Sequence, residues 1–85
     1  MVKLLEVYIY RNIYKMSKVQ SYLFSKTYYD INDVNDYIKS HDIHPIKKIH
    51  ETENMFRVRV QNPDMFKAFR TKKISNHLEA VIGFY

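Results

Sequence analysis

The chain has no cysteine and no tryptophan, a single glycine, two prolines and no long apolar run. Without cysteine there is no disulfide staple and no thiolate-held zinc or iron–sulfur cluster. One glycine, Gly83, excludes every glycine-rich phosphate loop and every dinucleotide fingerprint. No segment approaches the roughly twenty consecutive apolar residues of a membrane span. The N-terminal stretch MVKLLEVYIYRNIYKM lacks the clean apolar core and small-residue cleavage site of a signal peptide, and no Asn-x-Ser/Thr sequon occurs. These absences make an intracellular protein the expectation. What is present excludes a wholly disordered chain: 46% of the 85 residues are hydrophobic and 15% aromatic, including eight tyrosines. The length suits one small domain with a modest core.

The net charge of +5 is concentrated. Arg57, Arg59, Lys67, Arg70, Lys72 and Lys73 stand against Asp64 alone, so residues 57–73 carry the whole excess and the remainder balances. A local cationic stretch attracts phosphate or another acidic surface, and the attraction weakens with salt. The plainer alternative is a solvated, lysine-rich surface that keeps the chain soluble.

The apolar pattern predicts an α+β domain. In residues 3–14, Leu5, Val7 and Ile9 alternate with Glu6, Tyr8 and Tyr10, which suits a strand, although Leu5, Ile9 and Ile13 also fit a helical stripe. Met16 can serve as a start, which makes residues 1–15 an N-terminal extension strand and 17–85 the core of a single domain. Residues 19–25 read as a central strand, with Val19, Ser21, Leu23 and Ser25 on one face and Tyr22 and Phe24 on the other. Residues 30–41 read as the main helix: Asp30 caps it, Asp33 lies in its first turn, and Ile31, Val34, Tyr37 and Ile38 form its apolar stripe. His44-Pro45 marks the exit.

Residues 46–52 and 55–61 read as a hairpin. The second of these alternates cleanly, with Phe56, Val58 and Val60 opposite Met55, Arg57, Arg59 and Gln61. Asn62-Pro63-Asp64 starts a turn or short helix that points Met65, Phe66 and Phe69 inward. Residues 70–77, polar and basic, read as a loop. Residues 78–84 form the last strand, where Gly83 marks a bulge or a close backbone approach. The sum is a two-layer domain, a mainly antiparallel sheet of about four to five strands with one main helix on one face.

Few constellations carry chemistry. His41 and His44 are spaced for a metal, with His50, Asp42 and Glu51 nearby in sequence, but His44 precedes proline and leaves the helix; surface histidines are the simpler reading, and no metal is expected. Asp30, Asp33 and Asp36 could hold a hard cation, yet a cap, a dipole partner and a solvent-facing residue account for them. No serine sits in a glycine-flanked elbow and none pairs with a histidine by signature, so no catalytic residue, no cofactor and no small-molecule substrate is expected.

The basic residues are more informative. Arg57 and Arg59 share a strand face, and Arg70, Lys72 and Lys73 follow in the segment read as a loop. Arginine offers a planar fork to phosphate or carboxylate. Tyr8, Tyr10, Tyr28 and Tyr29 supply stacking surfaces for unpaired bases if exposed. The alternative for the arginines is pairing with Glu51, Glu53 or Glu79 across strands.

Three segments carry a resemblance: SYLFSKTYYDINDVNDYIKSHDI, HETENMFRVRV and FKAFRTKKISNHLEAVIGFY. Within them lie Phe56-Arg57-Val58-Arg59, Phe69-Arg70-Thr71-Lys72 and Val81-Ile82-Gly83. Residues 17–85 resemble a small uncharacterised domain of large DNA viruses, found in tailed phages, sometimes beside prohead-protease domains, and in giant viruses. Asn76-His77 stands where that family tends to have glycine, which implies a different turn before the last strand. The resemblance implies a viral accessory module in the host cell or the virion, and no particular reaction.

Two functional expectations follow. The first is a non-enzymatic binding module using Arg57, Arg59, Arg70, Lys72 and Lys73 to engage nucleic acid or an acidic protein partner. The second is a structural or assembly protein, a minor virion component or host-directed inhibitor, whose interface is Tyr8, Tyr10, Ile13 and Tyr14 and which forms homo-oligomers through residues 1–15.

Overall fold

A computed structural model describes residues 17–85; the expected extension strand and its interface residues Tyr8, Tyr10, Ile13 and Tyr14 lie outside the described residues. Five strands and one helix follow in the order β1 (Ser17–Ser25), α1 (Ile31–Ser40), β2 (His50–Glu51), β3 (Met55–Arg59), β4 (Ala68–Ser75) and β5 (Leu78–Phe84), with a 3-10 turn at Pro63–Met65 before β4. The strands form one antiparallel sheet in the order β2-β3-β1-β5-β4. The expected α+β architecture is what the chain adopts. Among the described residues no helix is long and apolar enough to cross a membrane.

β1 lies at the centre because it has bulk on both faces. Cross-strand register aligns Phe56, Phe24 and Leu78 in one row and Val58, Tyr22 and Ala80 in the next. α1 packs Val34 onto this face, with Tyr37 and Ile38 half-buried beside it. Phe24 is 0% exposed, and Tyr29 and Tyr37 meet its ring edge-on at 5.2 and 5.3 Å.

α1 starts at a reciprocal capping box. Asp30 Oδ1 accepts from the Asp33 N–H at 2.8 Å, and Asp33 Oδ2 accepts from the Asp30 N–H at 3.1 Å. Two orphan donors of the first turn are thereby satisfied. Asp30→Ala is expected to cost about 1 kcal/mol, most of it restored by Asp30→Ser, as read by thermal melts of the two variants.

The sheet differs from the sequence expectation in four places. Residues 70–77 are not a loop: Ala68–Ser75 is a strand. An edge strand needs a ladder on one side and no buried face, so its basic residues do not argue against it. The strand expected over 46–52 narrows to His50–Glu51.

The third difference is the bulge at Gln20. Register shifts by one between Val19 and Ser21, so Gln20 is the extra residue of β1. Its carbonyl accepts from both Val60 N–H and Gln61 N–H, at 2.9 and 3.2 Å. The bulge turns Val19 onto the α1 side, opposite Ser21, and puts Lys18 on the helix-free side beside Gly83.

The fourth concerns the three apolar residues expected to point inward, Met65, Phe66 and Phe69. Phe66 does so at 8% exposure, but over Gly83 on the helix-free side; Met65 and Phe69 are exposed. Gly83 is therefore a close approach: a Cβ there would overlap the Phe66 ring.

The Asn76-His77 turn joins β4 to β5 without positive φ, a conformation that Asp42 alone among the non-glycine described residues adopts. A two-residue hairpin of the common primed type needs positive φ. Here a register shift between Lys73 and Ser75 accompanies the turn instead.

Candidate nucleic-acid interface

Among the described residues α1 covers one face of the sheet and no helix covers the other. Strand alternation and register assign the open-face residues. One row runs His50, Arg57, Leu23, Glu79, Lys73; the next runs Arg59, Ser21, Val81, Thr71; the third runs Lys18, Gly83, Phe69. Arg57, Arg59, Lys73 and Lys18 therefore share a face, and among the strand residues on it Glu79, opposite Lys73, is the single carboxylate. Arg70 and Lys72 point to the opposite side, in the rows of Ile82 and Ala80. The five basic residues expected to act together divide three and two.

Arg57 and Arg59 border an open groove of about 350 Å³, lined also by Gln20, Leu23, Phe69 and Thr71. Its polar floor is built. Gln20 is 4% exposed and Ser21 is 0%; Ser21 Oγ donates to Gln20 Oε1 at 2.9 Å, and Gln20 Nε2 donates to the Gln61 carbonyl at 2.9 Å. Arg57 Nε is buried and has no hydrogen-bond partner among the described residues. A buried guanidinium N–H without an acceptor is costly in isolation and open to an acceptor supplied from outside.

Pairing of the arginines with cross-strand glutamates is not observed among the described residues. Glu51 instead takes Lys26, at 2.6 Å, and His44 Nε2 lies 3.2 Å from Asp42 Oδ1. At one end of the face Phe66 anchors an aromatic cluster, with Phe69 at 5.8 Å and Tyr85 at 5.1 Å between ring centroids. Phe69 and Tyr85 are exposed.

The tyrosines fare unevenly as stacking surfaces. Tyr8 and Tyr10 lie outside the described residues. Tyr29 is half-buried against Phe24. Tyr28, 64% exposed, already stacks one side on His77 at 4.5 Å and 5°. Tyr37 is held in its neutral form: burial raises its hydroxyl pKa first, and the neighbouring Tyr22 and Tyr29 add to that.

Two other concavities have no arginine or lysine in their lining. One, of about 510 Å³, is lined by Tyr28, Tyr29, Tyr37, Ser40 and the carboxylates Asp33 and Asp36. The other, of about 300 Å³, holds His41, Asp42 and His44. Among the described residues no group of three His, Asp or Glu is placed to hold a metal ion. Asp30 and Asp33 serve the capping box, and His41 stacks on Tyr37 at 3.8 Å.

Sequence reasoning missed Lys18, Gln20 and Phe69 as members of this face. Lys18 reaches it only through the bulge, and Phe69 only through β4. Compared with family models, with curated proteins and with solved structures, the chain matches none.

Proposed function

We propose that this domain is a non-enzymatic binding module that holds a single-stranded nucleic acid across the helix-free face of its sheet. The observation that carries the reading is Arg57 and Arg59 side by side on one groove, without a carboxylate partner among the described residues. Guanidinium forks suit phosphate oxygens. Lys18 and Lys73 extend the cationic track along the face, and Phe69 and Tyr85 offer rings at its end on which unpaired bases can stack. α1, which carries Asp33 and Asp36 against Lys39, offers no basic helix to a duplex major groove. The resemblance of residues 17–85 to the domain of large DNA viruses supports an accessory role in such a virus.

Fluorescence anisotropy with a labelled oligothymidylate over a salt series tests this. Each phosphate contact on a single strand contributes about −0.7 to the slope of log K against log salt, so a track of four cations gives a slope of about −2 to −3. Binding that does not weaken with salt, or no binding at low salt, contradicts the reading.

A further inference from the structure

Arg70 and Lys72 take no part in that groove, and they flank an unpaired backbone. β4 is eight residues long, and every one of them is exposed. It bonds to β5 on one side, and among the described residues no strand pairs with the other. Among the described residues, alternate N–H and C=O groups of β4 therefore have no strand partner and form a template for another strand. The opposite edge is blunted by brevity, since β2 has two residues. β4 is neither short nor broken by proline; what guards it is the charge of Arg70, Lys72 and Lys73 and the register shift before Ser75.

We infer that the free edge of β4 takes up an extended, acidic segment of a partner protein as a sixth strand. Charge selects the occupant. Arg70 and Lys72 stand on one face of β4 and Lys73 on the other, with no ion pair among the described residues. A second copy paired through the same edge would set these cations against one another, which is unfavourable for directly opposed strand residues. The chain's own residues 1–16 carry Lys3, Arg11 and Lys15 against Glu6, again of the repelling sign. A strand with carboxylates at alternate positions places them beside Arg70 and Lys72 while its backbone completes the ladder. Its other face, opposite Phe69 and Thr71, takes apolar or β-branched side chains. Backbone bonds supply affinity and the alternation supplies specificity. Arg57 and Arg59 are not used, so this inference does not depend on the nucleic-acid reading.

The test uses the full chain, 15N-labelled, with a synthetic peptide alternating Glu and Val and a counterpart alternating Lys and Val. With the Glu peptide alone, alternate amides within Ala68–Ser75 are expected to slow in hydrogen exchange by roughly tenfold or more. The double variant Arg70→Glu, Lys72→Glu is expected to weaken the peptide by roughly tenfold, and Arg57→Gln to leave it unchanged. Three outcomes overturn the inference: Glu-peptide binding that leaves β4 amides unprotected, equal protection by the Lys peptide or by oligothymidylate, or β4 edge amides already protected before any peptide is added.

Discussion

Phe24→Ala is expected to abolish the cooperative thermal transition of the domain. Phe24 is 0% exposed and sits at the middle of the central strand, in the row of Phe56 and Leu78, with Tyr29 and Tyr37 against its ring. Truncating a buried phenylalanine costs about 3–5 kcal/mol through lost transfer energy and the cavity left behind. A single domain this small has little more than that in total. The neighbouring strands cannot close the gap, because their spacing is fixed by the ladder on either side of β1. Phe24→Leu keeps most of the volume and is expected to cost about 1–1.5 kcal/mol while the fold persists. Urea titrations followed by far-ultraviolet circular dichroism separate the two. An alanine variant that melts cooperatively within about 1 kcal/mol of the parent would show that the core is centred elsewhere.

Gly83→Ala should destabilise the domain for a different reason. Alanine normally improves on glycine within a strand by roughly 0.5–1 kcal/mol, and no positive-φ glycine occurs among the described residues. The backbone at Gly83 therefore tolerates alanine, and the obstacle is steric: a Cβ would overlap the Phe66 ring. Phe66 is nearly buried and braced by Phe69 and Tyr85, so displacing it costs about 1–3 kcal/mol, in the range of overpacked cores. Phe66→Ala removes the obstacle. In that background Gly83→Ala is expected to be neutral or stabilising, and the coupling between the two sites is read from a double-mutant cycle of denaturation free energies. Equal costs of Gly83→Ala in both backgrounds would contradict the contact. The same contact bears on the open face, because Phe66 holds the aromatic end of the groove in place.

Where local pattern and tertiary demand agree, the sequence was legible. Phe56, Val58 and Val60 alternate because β3 has one face under α1, and Asp30 with Val34 and Tyr37 marks a helix whose cap forms and whose stripe buries Val34 with Tyr37 and Ile38 half-buried, while Ile31 at its start stays exposed. Residues 78–84 were legible as a strand because β5 is buried on both sides of the pleat. β4 was not, because an edge strand draws its stability from the β5 ladder and leaves no apolar imprint. Its basic residues read as a loop, and a loop carries no faces, so the division of Arg57, Arg59 and Lys73 from Arg70 and Lys72 was hidden.

The bulge at Gln20 was equally hidden. It depends on Val60 and Gln61 bonding the Gln20 carbonyl, partners some forty residues away in sequence. Period-two reading cannot register an inserted residue, so Val19 was assigned to the wrong face and Lys18 was overlooked. Gly83 was legible as a bulge or a close approach, and the structure shows the second; that Phe66 is the residue approaching it was not legible, because an inward-pointing side chain in a turn carries no sheet face.

Whether a nucleic acid runs along the helix-free face is read from the salt slope of oligothymidylate binding in two paired variants. Arg57→Gln with Arg59→Gln removes two cations from the groove, and the slope of log K against log salt should become shallower by about 1.4. Arg70→Gln with Lys72→Gln removes two cations from the other side of β4 and should leave the slope within error of the parent. Equal losses in the two double variants, or a larger loss from the second, would contradict the account.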